Sequence, residues 1–286
     1  MEANGTDGGI QGKEQFARNF GLLYICIGFI TIPISCFVLS VFCRPPLIKH
    51  SCYKLMSFNT VLDIINLSNA ALIPGFLSVQ NIHHCNSGMW VTYVMQEVCF
   101  SWHLYCCASE VLALNRMLEF ANKNLAIFLF EGKRVYLWFG VCFAYAIAGA
   151  LLPNIVHIVN NFFKFGFLTV TYVLMLFFMH LRLRRIKMAS TSSLQIKVSI
   201  QALAIAGLAD AATMGYVIIT NVTFSPEVSQ YIGVAAELIW IALHGGSIVI
   251  YSVMNNAVRS RFREAFCRSS TASSTCQVKT LSTSTR

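Results

Sequence analysis

The stretch that decides the fold is FGLLYICIGFITIPISCFVLSVFC, residues Phe20–Cys43. It contains no Asp, Glu, Lys or Arg over 24 residues. A helix needs about 20 predominantly apolar residues to cross the hydrocarbon core of a bilayer. Because lipid offers no hydrogen bonds to the backbone, such a run must satisfy its own peptide groups, which a helix does. This stretch therefore predicts a membrane-spanning helix.

Six further runs share this character. They are Leu55–Val79, Met89–Leu114, Val135–Leu152, Phe165–Leu181, Val198–Thr220 and Tyr231–Met254. The whole chain of 286 residues is 56% hydrophobic and 12% charged, with a mean hydropathy of +0.62. A soluble domain is about 25% charged, so a soluble, disordered or coiled-coil protein is excluded. No alternating ten-residue pattern of a β-barrel recurs. The sequence predicts an all-α membrane protein, a seven-transmembrane helix bundle.

The basic residues predict the orientation. Of the 21 Lys and Arg residues, 18 lie in the first, third and fifth loops and the tail, while only Lys13, Arg18 and Lys164 lie in the other segments. Positive charge accumulates on the cytoplasmic side, so we expect the N-terminus outside. Residues 1–19 are then extracellular and residues 20–254 form the transmembrane domain. The sequons at Asn4 and Asn221 fall on the outer side and are predicted glycosylation sites.

The C-terminal region divides into two parts. Residues 255–268 are basic, with Phe262, Phe266 and Cys267 spaced to share one helical face, which predicts a short amphipathic eighth helix on the inner leaflet. Cys267 is either palmitoylated or an unmodified thiol. Residues 269–286 are rich in Ser and Thr and predict a disordered tail that kinases modify. The net charge of +9 therefore indicates a lipid bilayer as partner and no nucleic acid.

Several ionisable residues lie within the apolar runs, where they are costly. They are Asp63, Glu97, His103, Glu110, His180, Asp210, Glu237 and His244. Gln96, His103 and Glu110 are seven residues apart, and so are Glu237, His244 and Tyr251. Seven residues make about two helical turns, so we expect each trio to form a stripe facing the bundle interior. These stripes either hydrogen-bond neighbouring helices or serve function, with Glu97 and Glu237 reachable from outside and Asp63, Glu110 and Tyr251 deeper.

Metal and cofactor chemistry has little support in the sequence. No short-spaced pair of ligands completes a metal site, so an intramembrane hydrolase would need His103, His244, Glu110 and Asp63 to converge. The seventh run contains no Lys for a retinal Schiff base. We therefore expect no cofactor, no metal and no enzyme activity. Cys85 is the one cysteine clearly on the outer side, which predicts no outer disulfide.

Several motifs carry a family resemblance. Ser51-Cys52-Tyr53-Lys54-Leu55-Met56 opens the second run, and Asp63 follows Asn59 by one turn. Leu112-Ala113-Leu114-Asn115-Arg116 closes the third run, and His244-Gly245, Tyr251 and Asn255 close the seventh. Together these resemble the nematode serpentine chemoreceptors of class T (Srt), G protein-coupled receptors, over roughly residues 20–265.

The resemblance implies a receptor for small environmental molecules in the plasma membrane, often of sensory cilia. Arg116 matches the arginine that locks the inactive bundle and engages a heterotrimeric G protein, with Asn115 before it. Tyr251 and Asp63 match switch residues of the seventh and second helices. We expect kinase and arrestin at the tail. The candidate ligand-binding residues are Tyr93, Gln96, Glu97, His103, Glu237 and His244.

The sequence also departs from rhodopsin-like receptors. Asn115 replaces the acid expected before Arg116, the sixth run has neither Trp nor Pro, and Gly245-Gly246 stands where Asn-Pro would be. The second outer loop, Pro153–Lys164, is short and has no cysteine to pair with Cys85. Either the receptor lacks a lid over its pocket, or residues are missing there. A seven-span ligand-gated channel, an intramembrane hydrolase and a non-signalling receptor remain alternatives.

Overall fold

The computed structural model describes residues 4–82, 88–151, 154–185 and 193–264. These residues are almost entirely helical and contain no strand. The helices are α1 (Asn4–Phe42), α2 (Ser51–Leu67), α3 (Ile73–Val79), α4 (Met89–Ala121), α5 (Lys123–Phe130), α6 (Val135–Leu151), α7 (Asn154–Arg185), α8 (Ser193–Asn221), α9 (Pro226–Met254) and α10 (residues 256–264).

Five segments are long and apolar enough to cross a membrane. They are Gly12–Phe42, Ser51–Val79, Ile158–Arg182, Ser199–Ile219 and Val228–Met254. A sixth candidate combines α5 and α6, which meet at an angle of 69°. The 33-residue α4 is also long enough to span a bilayer, but its polar residues keep it out of this set. Polar residues are tolerated in α4 because other helices surround it, so that their side chains face protein instead of lipid.

The helices form a closed bundle around α4. This central helix packs against α2, α6, α7 and α8, while α1 contacts α2, α3 and α9, and α9 contacts α8. The buried apolar residues form one main cluster that draws on most of the helices, and a smaller cluster lies between α4, α7 and α8. Because α4 meets protein on most sides, its side chains decide how the surrounding helices are held together.

The second span is interrupted at its centre. Residues Ser68–Leu72 form a π-helical turn between α2 and α3, and Pro74 follows immediately. Proline has no N–H to give to the carbonyl four residues earlier and its ring collides with that carbonyl, so the helix widens locally. The widened turn holds Asn69 against α4, where its side chain hydrogen-bonds Glu97.

Three segments predicted to lie between or before the spans are largely helical. The segment Pro153–Lys164, predicted as the second outer loop, is helical from Asn154 onward as the first turns of α7. Residues predicted as a polar N-terminal segment belong to α1, which begins at Asn4. The inner loop predicted over Asn115–Arg134 contains the end of α4 and the whole of α5. Polar residues extend α1 and α7 beyond the apolar runs, whereas α5 is mostly apolar and combines with α6 in a bent candidate span.

A helix follows the seventh span, as the basic segment 255–268 predicts. Asn255 separates α9 from α10. Its side-chain oxygen accepts hydrogen bonds from the backbone N–H groups of Ala257 and Val258, which caps α10. Val258 is fully buried, and the ring of Phe262 packs 4.3 Å from that of Phe37 in α1. The apolar face of α10 therefore packs against the helical bundle. Phe266 and Cys267 lie outside the described residues.

Candidate functional site

A pocket of about 230 Å³ lies between α4, α7, α8 and α9. Its lining is mainly apolar and aromatic: Met95, Val98, Cys99, Trp102, Asn161, Ala212, Thr213, Tyr216, Trp240 and Leu243. We call it the outer pocket, because it lies toward the predicted outer ends of these helices. Ligand sites are typically concave and largely apolar with a few placed polar groups, which matches this lining.

Two tryptophans form one wall of the outer pocket. The rings of Trp102 and Trp240 meet edge to face at 6.3 Å, and Tyr216 meets Trp240 in the same manner at 6.3 Å. The indole N–H of Trp102 donates to the side-chain oxygen of Asn161 at 2.9 Å. That of Trp240 is buried and has no hydrogen-bond partner in the part of the chain that the structure describes. Of the two indole N–H groups in this wall, that of Trp240 is therefore unpaired within the described residues.

A buried polar network lies below the outer pocket and joins α2 to α9. Asp63 is 2% exposed and His244 is fully buried. One carboxyl oxygen of Asp63 lies 2.8 Å from Nδ1 of His244, and the other accepts from the Ser247 hydroxyl at 2.8 Å. The imidazole of His244 also meets the ring of Tyr105 edge to face at 4.7 Å. This network therefore binds three helices, α2, α4 and α9, at one point.

A second, much smaller cavity of about 20 Å³ lies beneath Tyr105 and Asp63. We call it the inner cavity. Its polar lining includes Asn59 and Ser109, whose side chains hydrogen-bond each other at 3.3 Å. Tyr251, from the seventh span, also lines it. A cavity of this size has room for about one water molecule.

One cation is placed where the sequence did not predict it. Lys164 is fully buried within α7, although the predicted boundaries assign it to an outer loop. Its ammonium nitrogen lies 4.2 Å from the ring centre of Trp102 and 4.6 Å from that of Tyr105. Ammonium groups are attracted to aromatic faces at such distances. Lys164 therefore lies between the outer pocket and the inner cavity.

Arg116 lies near the inner end of α4 and is 4% exposed. Its guanidinium donates to the side-chain oxygen of Asn115 at 2.8 Å. Neither ion pair found in the described ranges includes Arg116. Since Asn115 is neutral, this contact is weaker than the salt bridge that a preceding acid would make. The arginine is thus held inside the bundle by a neutral partner.

The predicted ligand-binding residues of α4 do not line the outer pocket. Tyr93 is 64% exposed and Gln96 is also exposed, so the interior stripe predicted through Gln96 is wrong at that position. Glu97 accepts hydrogen bonds from Asn69 and Ser101. His103 is buried, and its ring contacts Tyr145 of α6 at 6.3 Å.

The other predicted residues occupy different positions. Glu237 is half-buried on α9 near Tyr24 and Tyr216, and does not line the outer pocket. His244 bonds Asp63 instead of facing the pocket, and Glu110 is buried. Tyr251 is buried with its ring edge to face with Phe42 at 5.1 Å. The side chains of Asn4 and Asn221, and all of Cys267, lie outside the described residues, so these modifications stay predictions.

No group of three His, Cys, Asp or Glu residues that could hold a metal ion occurs within the described ranges. The eight cysteines described are free thiols, whereas Cys85 lies outside those ranges. His103 and His244 belong to different surroundings, against α6 and against Asp63 respectively. Of the four residues that a hydrolase would need, Asp63 and His244 are in contact, but His103 lies apart from them against α6.

The residues that sequence reasoning missed share one face of α4. Met95, Val98, Cys99 and Trp102 follow the helical spacing of three and four residues, and all four line the outer pocket. Most of this face is apolar, so a search for ionisable residues passes over it. The tryptophans of the third and seventh runs, Trp102 and Trp240, were the sequence feature that could have indicated this pocket.

Comparison with known proteins places the chain in a family. The model of the serpentine type 7TM GPCR chemoreceptor Srt matches residues 10–153 and 148–275. The two matched segments meet at the link between α6 and α7, where the sequence has its short second outer loop. No individually curated protein matches the chain significantly. The match covers nearly all of the helical bundle and confirms the predicted seven-transmembrane fold, so the chain belongs to the Srt family of serpentine 7TM GPCR chemoreceptors.

Proposed function

We propose that this multi-pass chemoreceptor binds a small molecule in the outer pocket and, in response, activates a heterotrimeric G protein at its inner end. The observation that supports it best is the continuous set of contacts below the pocket. Trp240 lines the pocket and its ring lies 6.5 Å from that of His244, which in turn bonds Asp63. A ligand that moves Trp240 therefore acts on the point where α2, α4 and α9 are joined.

The mechanism is a shift between two packings of the bundle. A ligand shifts such an equilibrium only as far as its affinities for the two states differ. The outer pocket lies between α4, α7, α8 and α9, so a change in their spacing alters its shape directly. We propose that Tyr251 and Asn59, which both line the inner cavity, exchange partners in this shift.

The inner end supplies the coupling surface. Arg116 is buried against the neutral Asn115, so its release does not require a salt bridge to be broken. Arg182 of α7 donates to the backbone carbonyl of Glu119 in α4 at 2.8 Å, which links the inner ends of these two helices. We propose that separation of these ends exposes Arg116 to a Gα subunit. Kinase and arrestin are proposed partners of the tail, and the plasma membrane of a sensory cilium is the proposed location.

Nucleotide exchange tests this proposal. The receptor is reconstituted in lipid nanodiscs with a set of Gα subunits and screened with volatile and water-soluble small molecules. We expect at least one compound to stimulate exchange on the wild type, and Arg116→Ala to reduce that stimulation about tenfold or more. Arg44→Ala, which changes an exposed arginine of the first inner loop, is the matched control and should keep the response. Full stimulation of Arg116→Ala at equal receptor concentration would contradict the role of Arg116.

A further inference from the structure

Lys164 occupies the boundary between the two cavities. One turn before it on α7, Asn161 lines the outer pocket, and one turn after it, Leu168 lines the inner cavity. The same division holds on α4, because Trp102 lines the outer pocket and Tyr105 the inner cavity. The ammonium lies against both of these rings. It lies behind the Trp102 ring, 4.2 Å from the ring centre, and is not itself part of the outer-pocket lining.

Within the described residues this buried cation forms no salt bridge. Neither ion pair in the described ranges includes Lys164, and its ammonium nitrogen has no hydrogen-bond partner there. Asp63 is already bonded to His244 and Ser247, and Glu110 and Asp210 influence Lys164 only from beyond salt-bridge distance. The Cys106 thiol beside it is a weak acceptor. An ammonium in a protein interior is costly unless it is paired, and two ring faces compensate it only partly.

A second unpaired donor lies in the pocket lining itself. The buried indole N–H of Trp240 has no acceptor in the described part of the chain. Trp240 thus presents one unused donor at a largely apolar pocket, and Lys164 presents another behind the Trp102 ring that lines it. No Asp or Glu is among the residues that line the pocket. Both unpaired groups, the Lys164 ammonium and the Trp240 indole N–H, are hydrogen-bond donors. They therefore favour a negatively charged ligand that carries acceptor atoms.

We propose that the outer pocket binds a small organic anion, an apolar molecule with a carboxylate that forms a salt bridge with Lys164. This inference rests on the proposed function, because it names the ligand class of the same pocket. The apolar part of the ligand lies against Val98, Trp102 and Leu243, and its carboxylate points toward Lys164. The Lys164 ammonium sits on a flexible four-carbon stem, so it can turn from the rings toward the carboxylate.

The salt bridge also connects binding to the network below. When the ammonium turns to the ligand, Tyr105 loses its cationic neighbour while it still contacts His244. The ring is then free to reposition against His244, the residue that bonds Asp63 across the bundle. An uncharged ligand of the same shape would fill the pocket without drawing Lys164 from Tyr105. Charge recognition would thus decide both affinity and activation.

Thermal unfolding of the purified full-length receptor in nanodiscs, without G protein, tests the inference. The probes are octanoate and 3-phenylpropionate, each compared with the methyl ester, primary alcohol and primary amine of the same carbon skeleton. We expect the carboxylates to raise the melting temperature of the wild type by about 3–6 °C at concentrations well above Kd, and the uncharged and cationic analogues to have little effect. Lys164→Met should remove this preference and Lys164→Arg should keep it.

Lys197→Met is the matched control, because Lys197 is exposed on α8, and it should behave as the wild type. The inference is overturned if no carboxylate raises the melting temperature, if the ester or amine is equally effective, or if Lys164→Met keeps the preference. Should Lys164→Met not fold, the wild-type comparison of carboxylate with amine decides alone. Carboxylate binding without nucleotide exchange would overturn only the proposed function, whereas exchange driven by an ester or amine would overturn only this inference.

Discussion

The contact between Asp63 and His244 should contribute measurably to stability, and a double-mutant cycle can isolate it. Asp63→Leu and His244→Phe each remove one partner while keeping most of the volume, and the phenyl ring retains the edge contact with Tyr105. The double variant removes both partners together. If the pair interacts directly, the double variant must lose less stability than the two single variants combined.

The structure sets the size of this coupling. Interhelical hydrogen bonds in membrane proteins average about 0.6 kcal/mol and reach about 1.7 kcal/mol. The Asp63–His244 contact belongs at the upper end, because it is 2.8 Å long and both side chains are buried. Ser247 adds little, since its hydroxyl also lies 2.8 Å from the backbone carbonyl of His244 and can turn to it. We therefore expect a coupling energy of about 1.5 kcal/mol.

A thiol-reactive fluorophore provides the assay. Cys52, Cys106, Cys107 and Cys142 are buried and become reactive when the bundle unfolds. At about 2–4 °C per kcal/mol, each single variant should lower the melting temperature by several degrees. The double variant should melt about 3–6 °C above the additive expectation. Additivity within about 0.5 kcal/mol would refute the argument that this contact joins α2 to α9.

Two further perturbations test local features of the bundle. Asn255→Ala removes the cap of α10, worth about 1 kcal/mol, so amide hydrogen exchange should accelerate across residues 256–264. Gly149→Ala places a methyl group against the ring of His103, and overpacking of this kind costs about 1–3 kcal/mol, so the melting temperature should fall.

Each has a matched control. Asn255→Asp keeps a capping oxygen and should restore slow exchange, so equal exchange in the Ala and Asp variants would show that the cap is unimportant. Gly140→Ala lies on the same helix as Gly149 and meets nothing within 4 Å. It should leave the melting temperature unchanged or raise it slightly. An unchanged melting temperature for Gly149→Ala would mean that His103 does not pack tightly against α6.

Each apolar run falls almost entirely within a helical segment of the structure, but the ends of the helices differ from the ends of the runs. The start of α7 is the clearest case, because Asn160, Asn161 and Lys164 make that region look like a loop. In the structure, Asn160 accepts a hydrogen bond from Tyr145 and Asn161 accepts one from Trp102. Polar residues that find partners within the bundle extend a helix without contributing to hydropathy. A hydropathy pattern registers lipid contact and therefore misses such turns.

The candidate site was harder to predict, because sequence spacing identifies a helix face without identifying its neighbour. Trp102 and His103 are adjacent in sequence, yet the first lines the outer pocket and the second packs against α6. A rotation of about 100° per residue separates them, and the packing of the whole bundle determines which face meets which helix. The sequence predicts Asp63 in the bundle interior, and the structure buries it. Its hydrogen bond with His244 could not be predicted, because sequence spacing does not show which helices are neighbours.

Glycosylation mapping tests the central claim most directly, since the outer pocket must open outward and Arg116 must face the cytoplasm. The full chain is expressed in cells and treated with an N-glycosidase, in parallel with Asn4→Gln, Asn221→Gln and a variant with a sequon engineered between Arg182 and Lys197. The account predicts a mobility shift that depends on Asn4 or Asn221, and no glycan on the engineered site. A glycan on the engineered site with both native sites unused would invert the topology and contradict G protein coupling through Arg116.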